Sequence, residues 1–267
     1  MKEAILNESL ASVLLLEGKV TESASLYLSA QQYFEANDEC VHLINFLTYR
    51  QFIFISQNNF PNARLHLDKA MELDQLHNGG RKRLNILTWK ASCEGWAGDV
   101  EAALKILHEA TEVEVSLGAP QFNDYLTAIQ GRAYYEARMG RFDDARNSIA
   151  RAIELRRECG ADWIDDFMSA LIANFSGERG EAISMIRTIL DQYSGISKQL
   201  MVIFHLALGE MMLQEGRGVE ARAQFEQARA ICDETGISPK HLYVNRQHCL
   251  SLPAEYDGWE RFLADAI

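Results

Sequence analysis

A regular recurrence of glycine or asparagine constrains this chain more than any other feature. Gly18, Asn58, Gly98, Gly140, Gly177 and Gly216 form one series, separated by 40, 40, 42, 37 and 39 residues. Asn37, Gly79, Gly118, Gly160, Gly195 and Gly236 form a second series lying between them. Both residue types tolerate the left-handed backbone that ends a helix, so each mark is a candidate helix C-terminus. The segments between marks carry apolar residues at helical spacing. The chain therefore reads as alternating A and B helices, with one A/B pair per repeat.

The residues after each mark of the first series repeat as well. Five positions on stand Ser23, Ala63, Ala103, Ala145, Ala182 and Ala221. Nine on stand Tyr27, Leu67, Leu107, Ile149, Ile186 and Phe225. Twelve on stand Ala30, Ala70, Ala110, Ala152 and Ala228, with Ile189 the exception. Small side chains let two helices approach closely, and larger apolar ones fill the groove between pairs. Seven positions before each mark the A helices carry Ala11, Ala91, Ala133, Ala170 and Gly209, but Gln51 in repeat two. Gln51 predicts a looser crossing there.

The stretch Thr127–Gly160 shows the whole pattern in one repeat and resembles a tetratricopeptide (TPR) repeat. Leu208-Gly209 before Gly216 matches the family's preferred Leu-Gly pair. The resemblance implies an all-α, right-handed TPR-like superhelix of about six helix-turn-helix pairs. The repeats are framed at 4–37, 44–77, 84–117, 126–159, 163–196 and 202–235, in a single domain over 1–267. The period exceeds the common TPR length by roughly six residues, about 9 Å of helix. It is similar to the sensor region of MalT-like bacterial regulators. Ser238-Pro239 opens a C-terminal capping region, 238–267, whose Trp259, Phe262 and Leu263 are expected to fold onto the last repeat. At the other end, Glu3, Asn7, Glu8, Ser9 and Ser12 give the first helix the polar look of a solenoid terminus.

Composition narrows function. The formal net charge of −12 disfavours nucleic acid as a partner. Short basic clusters, Arg81-Lys82-Arg83 and Arg156-Arg157, read as solvated helix ends. The five cysteines are odd in number, dispersed and without a CxxC, as expected in a reducing, cytoplasmic setting. The N-terminus lacks the basic region of a signal peptide, and the longest apolar run, 200–213, is too short to span a bilayer. No phosphate-binding glycine loop, HExxH or GxSxG is present, so no catalytic residue is assigned. His241 and His248 are two helical turns apart beside Cys249, too far for both to ligate one metal directly without a third element between them. No metal and no cofactor are expected. Asp143-Asp144 and Asp165-Asp166 fall near helix starts, where negative charge suits the helix dipole.

What remains is a binding face. In the family, A helices line a concave groove, and the resemblance carries its groove positions onto Asn45 and Phe52 in repeat two. In repeat three they fall on Asn85, Thr88 and Trp96, in repeat four on Gln130, Tyr134 and Arg138, and in repeat five on Phe167. Amides, hydroxyls, aromatics and an arginine suit a peptide backbone, apolar anchors and a carboxylate. The implied function is non-catalytic: a scaffold holding a peptide, a protein segment or a small effector. Two alternatives stand beside it, the ligand-sensing region of a bacterial transcription regulator and an enzyme with an unrecognised site on a helical solenoid. The carboxylate clamp of chaperone-binding TPRs is not supported, because its places hold Glu8, Ser12, Tyr49, Asn85 and Trp89.

Overall fold

A computed structural model describes residues 2–16, 20–37, 39–56, 59–112, 119–157, 163–192 and 198–235. Among the described residues all regular structure is helical. The helices are α1 (Lys2–Leu16), α2 (Val20–Ala36), α3 (Cys40–Ser56), α4 (Phe60–His77), α5 (Arg83–Trp96), α6 (Val100–Thr111), α7 (Ala119–Arg138), α8 (Phe142–Arg156), α9 (Trp163–Phe175), α10 (Arg179–Gln192), α11 (Lys198–Gln214) and α12 (Gly218–Thr235). They fall into the six A/B pairs read from the glycine series. The expected cap, 238–267, lies outside the described residues. Helix α7 starts at Ala119, ahead of the frame's residue 126. Pro120, in its first turn, costs no intrahelical hydrogen bond there.

Gly140 shows why the marks end helices. Its φ of +75° is left-handed, and the turn lets Arg141 N–H donate back to the Glu136 carbonyl at 2.9 Å. This six-to-one closure satisfies a carbonyl that the helix end would orphan. The same bond recurs in Asn59 to Phe54 (2.7 Å), Asp99 to Glu94 (2.9 Å), Glu178 to Ala173 (2.8 Å) and Arg217 to Met212 (2.9 Å). The following B helices start on caps where the sequence supplies them. The side chains of Asn59 and Asp99 accept from Asn62 and Ala102 N–H.

The chain divides into two compact units, Met1–Gly131 and Arg132–Ile267. In the first, α1 packs with α2, α3 with α4 and α5 with α6, while α2–α3 and α4–α5 stack neighbouring pairs. In the second, α9 packs with α10 and α11 with α12, while α8–α9 and α10–α11 stack. The core is built from the repeated positions. Ser23, Ala63, Ala103, Ala145, Ala182 and Ala221 are wholly buried, as are Ala30, Ala70, Ala110, Ala152 and Ala228. The large residues nine after each mark are buried with them. Ser23 uses its hydroxyl, donating to the Ala11 carbonyl at 2.7 Å across the α1/α2 crossing. Gln51, at the corresponding A-helix place in repeat two, is also fully buried. Its amide finds no hydrogen-bond partner among the described residues, a cost the alanines avoid.

Two sequence expectations need correction. Arg156 is not a solvated helix end. It pairs with the buried Asp165 at 3.1 Å and ties α8 to α9. Nor is α1 simply polar: Leu6, Leu10 and Val13 are exposed on it beside Glu3 and Ser9, while Asn7 and Glu8 are half-buried.

Candidate functional site

The nine groove residues fall on both units. Asn45, Phe52, Asn85, Thr88, Trp96 and Gln130 belong to the first; Tyr134, Arg138 and Phe167 belong to the second. The side chain of Phe52 lies outside the described residues.

In the first unit, Asn85 of α5 donates its amide to Asp124 Oδ1 of α7 at 2.9 Å. The two residues are about one repeat apart, so this bond joins successive A helices. Burial raises the Asp124 carboxyl above its usual range, partly offset by the Asn85 bond and by Lys82. Thr88 is half-buried and turns its hydroxyl back to the Leu84 carbonyl at 2.9 Å. Asn45 and Trp96 are half-buried, whereas Gln130 is buried. This face offers an amide beside a carboxylate and suits hydrogen-bond donors. Asp124 was missed in the sequence. It follows no repeat position, and the only signal was an acid about one repeat from a groove asparagine.

In the second unit, Tyr134 and Arg138 are one helical turn apart on α7. The Arg138 guanidinium lies 5.9 Å from the Tyr134 ring centroid. The Tyr134 ring meets Phe175 of α9 edge-on at 6.0 Å and Tyr135 at 5.0 Å. Tyr134 is buried, while Arg138 is half-buried. Among the described residues no carboxylate pairs with Arg138. A guanidinium stacked on an aromatic shelf keeps its planar fork free for a carboxylate, in a partly desolvated place. Phe167 belongs elsewhere. It is buried, and its ring packs 4.9 Å from that of Phe204, joining α9 to α11.

Two polar clusters escaped the sequence reading. Across α2, α3 and α4, Arg50 sits over the rings of Phe46 (5.4 Å) and Phe54 (5.5 Å) and donates to Gln31. Gln31 in turn donates to Glu35, which pairs with Lys69 at 3.1 Å. His66 packs on Phe54 at 4.8 Å, and its pKa is lowered to about 4 by burial, then by Arg50 and Lys69. In the second unit the buried Glu136 accepts from Arg132 and from Ser148, both at 2.7 Å, linking α7 to α8. These side chains bond chiefly to one another and brace the helix stack. Among the described residues no group of His, Cys, Asp and Glu is arranged to hold a metal ion. No described helix is long and apolar enough to cross a membrane.

No family model matches the sequence, and no curated protein matches it. Solved structures do. A tetratricopeptide repeat protein from Parabacteroides merdae superposes with a TM-score of 0.52 at 14% identity, over 99% of this chain and 98% of that one. PilF of Pseudomonas aeruginosa superposes at 0.51 with 12% identity, over 92% and 98%. The TPR-like repeats of a kinesin light chain-type protein from Podosopora anserina give 0.52 at 15% identity, over 74% and 99%. At such identities the likeness concerns the path of the backbone alone. That path, the six-to-one turns and the buried small-residue rows agree: the chain has the tetratricopeptide-repeat fold.

Proposed function

We propose that this protein is a non-catalytic binding platform that holds an extended protein segment against its A-helix faces. The observation that carries this reading is Arg138, a half-buried cation on the Tyr134 ring with no carboxylate partner among the described residues. A partner's acidic side chain would complete that pair, and the half-exposed Phe175 ring, packed edge-on against Tyr134, would receive an apolar neighbour. Net charge limits the partner further. A chain carrying −12 repels a strongly acidic ligand at long range, so a segment with one acid in an apolar or basic setting fits better than a polyanion. A small acidic effector is the lesser form of the same recognition. Buried free thiols at Cys93 and Cys232 favour a cytoplasmic setting for this binding.

Selection from a random peptide-display library against the immobilised chain tests this. Enriched peptides should share an acid flanked by apolar residues. Arg138→Ala should weaken their binding about tenfold or more, equivalent to about 1.4 kcal/mol or more. Arg138→Lys should recover only part of it, because an ammonium lacks the fork. Helical circular dichroism should stay unchanged, since Arg138 is half-buried and makes no ion pair among the described residues. Peptides without an acid, or full affinity in Arg138→Ala, would place the site elsewhere.

A further inference from the structure

Leu6, Leu10 and Val13 stand four and three residues apart, so they share one face of α1. They are 65%, 45% and 49% exposed. They sit twelve, eight and five residues before Gly18. In the other A helices the twelve-before residues, Phe46, Ile86, Ala128, Asp165 and Phe204, are all buried. So are the described five-before residues, Cys93, Tyr135, Ile172 and Met211. The eight-before residues of α3 and α5 reach the preceding B helix: Arg50 donates to Gln31, and Lys90 to Asp68 at 2.6 Å. This is therefore the stacking face, covered by α2 on α3 and by α4 on α5. On α1 it is open, and it is more apolar than on α3 or α5, because Leu10 replaces the cation.

We propose that this face pairs with the same face of a second copy of the chain, as an antiparallel α1–α1 helix pair with its two-fold axis at Leu10. The row is nearly symmetric about Leu10. An antiparallel partner therefore sets Leu10 against its own equivalent and Leu6 against Val13 of the partner subunit. A two-fold contact needs just such self-complementarity. End-to-end stacking of α1 on α12 of another copy is the competing arrangement. Six, ten and thirteen residues after Gly216, α12 presents Arg222, Glu226 and Arg229, all exposed and charged. Setting leucines against these charges would desolvate them without pairing them. The apolar face thus matches itself better than it matches the far end of the repeat array. One helix pair is a small interface, so association in the range of about 1–100 µM is expected.

Sedimentation equilibrium of the chain over about 5–200 µM tests the pairing. The mass should rise from one chain to two and stop there. Leu10→Glu should hold the protein at one chain throughout, because it puts two carboxylates at the axis. Leu65→Glu changes a residue that is 63% exposed on α4, outside the row, and should dimerise like the wild type. Circular dichroism of both variants should match the wild type, since both sites are exposed. A wild type that stays monomeric, a Leu10→Glu variant that still dimerises, equal loss in Leu65→Glu, or growth beyond two chains would each overturn the proposal.

Discussion

At Gly209 two effects of one added methyl group oppose each other. Alanine in a helix interior is favoured over glycine by about 1 kcal/mol. A Cβ built at Gly209, however, would lie 2.5 Å from Phe225 Cε1, 2.8 Å from Cδ1 and 2.9 Å from Cζ. Three atoms of one buried ring cannot all yield without moving α12, and overpacking of this kind costs about 1–3 kcal/mol. Gly209→Ala should therefore lower the melting temperature. Gly131 makes the opposite case, since a Cβ there meets only the two methyls of Leu107, Cδ2 at an ordinary 3.7 Å and Cδ1 at 3.3 Å. That methyl can shift by a few tenths of an ångström, so Gly131→Ala should melt at or slightly above the wild type. Equal losses in the two variants would show that the ring contact does not set the need for glycine at 209.

At the scale of the helix pair, the small-residue rows fix how closely A and B helices cross. Ala133 and Ala145 are both wholly buried in repeat four. Ala145→Leu should cost about 1–3 kcal/mol in thermal or urea unfolding through overpacking, and a wild-type melt would show that the crossing has slack. These rows were legible in the sequence because close approach tolerates only small side chains, and the helix ends were legible because a left-handed residue favours glycine. Depth was not legible. Helical periodicity gives the face on which a residue stands, not how far the neighbouring helix covers it. Gln130, Tyr134 and Phe167 satisfy the groove positions yet are buried, while Asn85, Thr88, Trp96 and Arg138 at the same kind of position are half-exposed. Polar braces were hidden for a related reason. Asp74 is fully buried at the end of α4, where it accepts from the Asn78 amide at 2.7 Å and from Lys82 N–H at 3.0 and 3.1 Å. In the sequence it is one acid among many, since nothing local marks the turn that folds back onto it.

Across the whole molecule the charge balance is acidic, and falling pH removes negative charge from a chain that carries −12. Relief of that self-repulsion should favour the folded state under acid. His66 works against it. Its folded pKa, about 4, lies below the ordinary 6.5, because burial and then Arg50 and Lys69 disfavour the imidazolium. Between those two values the unfolded chain takes up a proton at this site that the folded chain refuses. His66 therefore contributes stability that is fully present above about pH 6.5 and is lost as pH falls toward about 4. Asp124 and Glu8 have the opposite sign. Burial raises both carboxyls, so in the folded state they bind protons more readily, and their contributions strengthen as pH falls through their folded values. These terms and the net-charge term overlap in a single pH–stability curve, but a comparison with His66→Gln separates them. The glutamine keeps a polar planar group beside Phe54 and cannot titrate, so any packing change it causes is a constant offset. The stability difference between wild type and His66→Gln, from urea unfolding at each pH, should be level from pH 8 to about 7. It should then shift against the wild type between about pH 6.5 and 4, and level off below that. A difference that stays flat across this window would mean that His66 titrates in the folded chain as it does in the unfolded one, and that the α2–α4 brace is open to water.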